Sequence, residues 1–180
     1  MVERELLLLG LLRQGAMHGY QLHDFIERNL AFCTDLKKPT AYVLLDKMQA
    51  NGWVVVREAR EGNRPQKRVY SLTPAGEEAF QRLLRENLGA FIAAKTGSDI
   101  GLAFIDALPK AEALRLLNRR RAALSAQLAE FEAVPQHQGS YQLLIDHQLH
   151  YLRGELQWLD KVIALIQSRR HTSQGYSGRA

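Results

Sequence analysis

Cysteine is almost absent from this sequence: Cys33 is the only one in 180 residues. A single cysteine cannot form a disulfide within its own chain, so the sequence offers no sign of an oxidising compartment. Long apolar runs are missing too, since the run that begins at Leu6 is interrupted at Gly10 and ends before Arg13. That run is too short and too acidic at its start for a signal peptide, and it lacks the roughly 20 apolar residues of a membrane-spanning helix. We therefore expect a cytoplasmic protein without a membrane partner.

Catalytic and metal-binding patterns are missing as well. The sequence has no Ser/His/Asp arrangement, no paired carboxylates, no glycine-rich phosphate loop and no HExxH motif. His147 and His150 are spaced one helical turn apart, but Glu155 lies too far along the chain to complete a metal site. We expect no enzymatic activity, no cofactor and no metal.

The composition is that of a folded protein with a basic surface. Hydrophobic residues make up 46% of the chain and charged residues 24%, which is enough for a core and for solubility. The formal net charge of +5 favours a polyanionic partner, and one basic cluster lies between Arg57 and Arg68. Its basic residues are Arg57, Arg60, Arg64, Lys67 and Arg68, and its acids are Glu58 and Glu61.

Three helices are predicted in the first third of the chain. In the first, apolar residues follow a helical spacing from Val2 to Leu12, and Gly15 is typical of the position just beyond a helix. The second is predicted from about Gly19 to about Asn29. The third starts near Pro39, because the fixed φ of proline suits the first helical position, and it stops at Asn51-Gly52.

Two strands and a fourth helix follow. The segments "WVVVREA" and "KRVYSLT" are rich in β-branched and aromatic residues, and the "REGNRPQ" between them has the glycine, asparagine and proline of a hairpin tip. Thr73 and Pro74 then start a helix, with Thr73 as the N-cap and Pro74 at the first helical position. These elements predict a mainly α fold, with a winged helix-turn-helix domain that has a two-stranded wing over residues 1–90.

Beyond residue 90 only helical spacing remains. A short helix ended by Pro109 and a long one from Lys110 to about Ala133 are followed, after Pro135 to Gly139, by a last helix with three heptads of apolar residues. The apolar residues of each long helix form a seam along one side, and the sequence offers no sheet for these seams to pack against. We therefore predict an antiparallel, coiled-coil-like dimerisation domain over residues 91–170. A disordered tail is predicted over residues 171–180. The residues predicted at the dimer contact are Leu117, Leu124, Leu128, Leu149, Leu152, Leu156, Trp158, Leu159 and Ile163.

The third helix and the wing form the predicted DNA-binding surface. A helix fits the major groove, and basic side chains and free N–H groups at its start can meet phosphate. Arginine at a hairpin tip suits phosphate or the minor groove. The alternatives are a merely solvated helix and a charged tip that only keeps an edge strand soluble. The residues predicted to contact DNA are Lys37, Lys38, Thr40, Tyr42, Lys47, Arg60, Arg64, Lys67 and Arg68.

Two further features admit both a functional and a structural interpretation. Cys33 would sense oxidants if a neighbouring charge stabilised its thiolate, but a lone cysteine is more often a small packing residue. Trp158, Phe104, Phe91 and Tyr151 would line a pocket for an aromatic ligand, but such side chains more often belong to a core. We keep an aromatic small-molecule effector as a candidate partner.

Three motifs in order, "LLLLGLLRQGAMHGYQL", "TAYVLLDKMQANGWV" and "KRVYSLTPAGEEAF", resemble the PadR family of bacterial transcriptional regulators over about residues 5–80. The segments "LAFIDALPKAEALRLLNRR" and "HYLRGELQWLDKVI" are similar to the longer branch of that family. The resemblance implies a ligand-responsive homodimer that binds a palindromic operator in double-stranded DNA, usually as a repressor. It also implies DNA contacts from Lys38 to Lys47 and from Arg60 to Arg68.

The chain departs from the family pattern at two places. Lys37, Lys38 and Pro39 open the third helix where family members commonly have a small hydroxyl residue, so the base preference does not transfer. The wing has Val69-Tyr70 in place of two adjacent aromatic residues, and no effector signature of the family matches this chain. Two other functions stay open: a transcriptional activator of the same fold, and a helical scaffold that uses the winged helix to bind a protein.

Charge reversal at the wing separates DNA binding from the scaffold function. Arg64→Glu combined with Lys67→Glu should abolish DNA binding, because the new carboxylates repel the phosphates, and should leave the dimer intact. Fluorescence anisotropy with DNA from the protein's own promoter region measures the first effect, and size-exclusion chromatography measures the second. Unchanged DNA binding would refute the assignment of the wing.

Overall fold

The computed structural model of the protein describes residues 2–59, 67–91 and 98–168, in two units over residues 1–93 and 94–180. The elements of the first unit are α1 (Val2–Leu12), β1 (Met17–His18), α2 (Gly19–Asn29), α3 (Lys38–Ala50), β2 (Val54–Ala59), β3 (Lys67–Leu72) and α4 (Pro74–Gly89). Those of the second are α5 (Ser98–Ala103), a 3-10 turn (Ile105–Ala107), α6 (Lys110–Glu132) and α7 (Ser140–Ser168). The predicted disordered tail, residues 171–180, lies outside the described residues.

The predicted mainly α fold with a winged helix-turn-helix is confirmed, and the sheet has one strand more than predicted. Its order is β1-β3-β2, all antiparallel, with Met17 paired with Tyr70 and His18 paired with Val69. The wing hairpin of β2 and β3 has the two predicted strands. The sequence did not reveal β1, because two residues are too few to show the alternation that marks a strand.

The core of the first unit forms where α1, α2, α3, α4 and β3 meet. Apolar residues at helical spacing turn one side of each helix inward, and β3 contributes an aromatic residue from the middle of the sheet. The largest side chains of this unit with less than 2% exposure are Leu8, Leu9, Leu22, Ile26, Leu45, Met48, Val54 and Tyr70. The core buries one side of α3 and leaves its opposite side open to solvent.

Thr73 joins the wing to α4. Its N–H donates to the carbonyl of Trp53 over 3.0 Å, and its Oγ1 donates to the carbonyl of Gly52 over 2.7 Å. The same oxygen accepts from the N–H of Gly76 over 3.0 Å, which is the predicted N-cap bond of α4. At Gly76 an added Cβ would lie 2.0 Å from the carbonyl oxygen of Trp53, so only glycine fits this joint.

The second unit is built on the antiparallel pair of α6 and α7. Leu117 of α6 packs with Leu159, Ile163 and Ile166 of α7 in one buried cluster. Ion pairs run along the pair of helices: Arg121 with Asp160 over 2.5 Å, Arg153 with Glu132 over 2.8 Å, and Arg120 with Glu155. Their order along the two helices shows that α6 and α7 run in opposite directions, as the seams predicted.

Most residues of the predicted dimer seam are buried or partly buried within a single chain. Leu117, Leu152, Leu159 and Ile163 are buried in the absence of a second copy. Four more members are partly buried, namely Leu124, Leu128, Leu149 and Leu156. Trp158 is 40% exposed. These residues therefore stabilise the helical pair itself, and their contact with a second chain stays a prediction.

A substitution at Gly76 tests the joint at Thr73. We expect Gly76→Ala to lower the free energy of unfolding by about 2 kcal/mol or more, because the methyl group overlaps a backbone carbonyl that the wing cannot easily move. Gly89→Ala is the matched control, since it lies in the same helix and its Cβ would meet nothing within 4 Å. Urea denaturation followed by circular dichroism measures both, and equal stability of the two variants would contradict this account of the joint.

Candidate nucleic-acid interface

The side of α3 that faces away from the core is the centre of the candidate site. Ala41, Leu44, Leu45 and Met48 are buried, at 4% exposure or less, and they turn the opposite side of the helix to solvent. On that side Val43 is 67% exposed. The helix begins near Pro39, as predicted, with Lys37 as its N-cap and Pro39 at its second position. The structure thus describes an exposed helix with a basic start.

Lys37, Lys38 and Thr40 lie together at this start. The side chains of Lys37 and Lys38 are exposed, while Thr40 is half-buried. The first N–H groups of a helix have no partner inside the helix, so a phosphate near these two lysines would meet both positive charge and free donors. The geometry suits the role predicted for these three residues.

Tyr42 is held against the start of α2. It is half-buried, and a Cβ added at Gly19 would lie 2.7 Å from its Cε1 atom. A glycine at this position therefore lets the tyrosine ring lie flat on the backbone of α2. The N–H of His18 donates to Oε1 of Gln21 over 2.8 Å and completes that helix start. The "HGY" motif and the tyrosine of α3 are complementary parts of one contact.

Tyr70 of β3 is a fully buried residue of this domain. Its exposure is 0%, and its hydroxyl has no hydrogen-bond partner within the described part of the chain. Burial raises the pKa of Tyr70 and outweighs the opposite effect of the nearby Arg68 guanidinium. The residue is therefore neutral at physiological pH, and its role is to pack inside the domain rather than to contact a nucleic acid.

Arg68 connects the wing to α3. Its guanidinium lies 2.9 Å from the Asp46 carboxylate and donates to Oε1 of Gln49 over 3.0 Å. It also lies 5.4 Å from the ring centroid of Tyr70, within the range of a cation–π contact. Arg68 thus links β3 to α3 while part of its side chain stays open to solvent. The sequence did not reveal Asp46 or Gln49, because no local pattern pairs residues about 20 positions apart.

Lys47 forms an ion pair with a residue of the same chain. Its Nζ lies 2.7 Å from Oε1 of Glu5, a residue of α1 that is only 6% exposed. The sequence placed Lys47 on the exposed side of α3 and did not single out Glu5. An acidic residue near the start of a helix is usually explained by its favourable interaction with the helix dipole. The position of Glu5 in the sequence therefore gave no sign of a buried ion pair.

The remaining predicted wing contacts have no described side chains. Arg60 and Arg64 lie outside the described residues, and Lys67 is described only as the first residue of β3. Their contact with DNA stays a prediction. Of the predicted wing residues, the structure therefore tests the environment of Arg68 only.

Cys33 lies in the connection between α2 and α3. Its thiol donates to the carbonyl of Leu30 over 3.2 Å, and partial burial raises its pKa above the ordinary value. A higher pKa keeps the thiol protonated at neutral pH and lowers its reactivity. This environment favours the structural interpretation of Cys33 over the sensor.

The described residues also bear on metals, ligands and membranes. In residues 2–59, 67–91 and 98–168, no group of three or more His, Cys, Asp or Glu side chains is placed to hold a metal ion. None of the helices in those ranges is both long and apolar enough to cross a membrane. The four candidate pocket aromatics, Phe91, Phe104, Tyr151 and Trp158, are all exposed, and the pocket stays a prediction.

Two family models match the chain. Residues 8–82, which run from α1 into α4, match the family "Transcriptional regulator PadR-like family". Residues 101–167, which run from α5 to α7, match "Virulence activator alpha C-term". The two matches fall within the two structural units, one in each.

Known proteins are similar to the chain over most of its length. The "Negative transcriptional regulator PadR" of Bacillus subtilis (strain 168) is 26% identical over 172 residues, which are 88% of this chain and 94% of the relative. The crystal structure of Bacillus subtilis PadR in complex with operator DNA has a TM-score of 0.80 at 22% identity, over 90% of this chain and 98% of that one. Its complex with p-coumaric acid has a TM-score of 0.75 at 20% identity, over 92% and 96% of the two chains.

The family match covers the part of the chain that carries the candidate interface. The exposed α3, the wing strand that Arg68 joins to it and the Thr73 joint all lie within residues 8–82. The solved structures show that both units share the PadR fold. The first unit therefore contains a domain of the transcriptional regulator PadR-like family over residues 8–82, and the chain is similar to PadR over most of its length.

Proposed function

We propose that this protein is a homodimeric repressor that binds a palindromic operator in double-stranded DNA and leaves it when a small aromatic molecule binds. One observation carries the proposal: α3 presents an exposed side with a basic start, and Arg68 fastens the wing beside it. The similarity to a negative regulator and to a structure in complex with operator DNA supports it. The cytoplasm, where bacterial DNA is found, is the proposed location.

The exposed side of α3 suits the major groove. A groove of about 12 Å width admits one helix, whose first turns meet the backbone and the base edges. Lys37 and Lys38 would contact phosphates at the start of the helix, and Val43 offers an apolar surface to a thymine methyl group. In this arrangement the lysines supply affinity, and the middle of the helix supplies sequence preference.

The dimer is proposed to form through the outer side of α7. A second copy needs exposed apolar side chains, and among the predicted seam residues Trp158 is the exposed one. Tyr151, Trp158 and Leu165 recur every seven residues on α7, and each is at least 40% exposed. Gly154 lies between them, and an added Cβ there would meet nothing within 4 Å. A stripe of large apolar side chains around a glycine permits close approach of a second helix.

A dimer would place two copies of α3 on one side of the DNA. The half-sites of an operator are then about 34 Å apart, one turn of the double helix. An effector would act by favouring dimers whose helices have a different spacing or greater freedom, which is a shift between two populations. The complex of Bacillus subtilis PadR with p-coumaric acid supports an aromatic effector for this chain.

Activation of transcription is the second candidate function. The match of residues 101–167 to a family named for a virulence activator favours it. A reporter gene behind the protein's own operator decides between the two. Higher expression after deletion of the regulator supports repression, and lower expression supports activation.

Operator binding at a series of salt concentrations tests the proposed DNA contact. We expect the logarithm of affinity to fall steeply with the logarithm of salt concentration, and Lys38→Met to reduce that slope by about one for each protomer. Arg115→Met on α6 is the control, because it removes an exposed basic residue outside the winged domain. Binding that is indifferent to DNA sequence, or a slope that Arg115→Met lowers as much as Lys38→Met, would overturn the proposal.

A charge placed on the outer side of α7 tests the proposed dimer surface. Trp158→Glu should convert the dimer to a monomer, because a carboxylate loses its hydration when the second helix covers it. The matched control is Gln127→Glu, which adds the same charge at an exposed position of α6. Sedimentation velocity measures the mass of each variant, and a dimeric Trp158→Glu protein would show that another surface joins the chains.

A further inference from the structure

Glu5 is an unusual residue within the part of the chain that the structure describes. It is the one charged side chain found buried there, with 6% of its surface exposed, and it lies on α1 among leucines of the core. A carboxylate removed from water costs free energy unless a cation and hydrogen bonds replace the water. The position therefore calls for a structural or functional reason.

The partner of Glu5 is Lys47, in the last turn of α3. Nζ of Lys47 donates to Oε1 of Glu5 over 2.7 Å, across 42 positions of the sequence. The lysine side chain is 53% exposed, whereas that of Glu5 is 8% exposed. The carboxylate is thus fixed inside the domain, and the lysine reaches inward to it from the end of α3.

The residue before Glu5, Arg4, contacts the segment that leads into α3. Arg4 donates to Oδ1 of Asp35 over 2.5 Å, and Asp35 lies in the connection that leads into α3. This hydrogen bond, together with the positive charge of Arg4, lowers the pKa of the Asp35 carboxyl. The pair is exposed and contributes little stability by itself. Its position matters more, because two consecutive residues of α1 contact the segment that leads into α3 and the last turn of α3.

We infer that Arg4 and Glu5 clamp α3 from α1, and that Lys47 is a positioning residue for α3 rather than a phosphate contact. The inference rests on the proposed function, because it assigns a role in operator affinity to Glu5, which is buried inside the domain. The clamp fixes the direction of α3 relative to α1, and Arg68 fixes the wing relative to α3. Together they hold the two proposed DNA-contacting elements in one arrangement.

The two roles of Lys47 predict opposite results for Glu5→Gln. If Lys47 contacts phosphate, the loss of a competing carboxylate frees the lysine, and DNA affinity stays equal or rises. If Lys47 positions α3, Glu5→Gln and Lys47→Met each weaken operator binding by about fivefold to tenfold, and the double variant is no weaker than either single one. The exchanged pair, Glu5→Lys with Lys47→Glu, should recover part of the loss.

The experiment measures operator affinity of the full-length protein by fluorescence anisotropy for the two single variants, the double variant and the exchanged pair. Glu78→Gln is the control, because it removes an exposed carboxylate of the same unit. Circular dichroism at the binding temperature confirms that each variant is folded. Additive losses in the double variant, or undiminished affinity of Glu5→Gln, would overturn the inference.

Hydrogen exchange of the free protein tests the clamp without DNA. Glu5→Gln and Lys47→Met should each speed exchange of the amides in the last two turns of α3 by at least about fivefold, while Glu78→Gln leaves them unchanged. Unchanged exchange in both single variants would refute the clamp. If the wild-type protein fails to prefer operator DNA, the proposed function fails, and the exchange result still decides whether α1 holds α3.

Discussion

The seating of α3 on the core of the winged domain is the constraint on which the candidate interface depends. Its apolar residues are buried and the helix packs on α1 and α2, so the opposite side of the helix has to face solvent. Apolar burial alone would permit the helix to slide or rotate, since it is not directional. Specific contacts at Gly19, Glu5 and Arg68 remove that freedom. The surface that faces outward is therefore fixed by what lies beneath it.

Those contacts divide the charged residues of the domain into two groups. Arg68 and Lys47 are paired with acids of the same chain, at Asp46 and Glu5, and they connect elements of the fold. Lys37 and Lys38 are exposed at the start of α3. A single count of basic residues cannot make this distinction, because the charge is the same and only the partner differs. Positive charge in this family fold thus serves both architecture and the proposed affinity for DNA.

The helices, the wing hairpin and the Thr73 cap were predictable, because each depends on residues close together in sequence. The first strand was not, since its two residues pair with β3 from more than 50 positions away. The Glu5–Lys47 pair was missed for the same reason. The α7 heptads were recognised, but a seam pattern is the same whether its partner is another helix of the chain or a second chain. Interactions between residues close in sequence predicted the helices and the wing strands, whereas contacts between distant residues determine what each of these elements does.

Hydroxyl-radical footprinting of the intact protein on its promoter DNA tests the central claim most directly. Two copies of α3, held at a fixed spacing on one side of the double helix, predict two protected patches about 10 base pairs apart and related by a two-fold axis. A single protected patch, or weak uniform protection along the DNA, would contradict an account in which paired, rigidly seated helices recognise the operator.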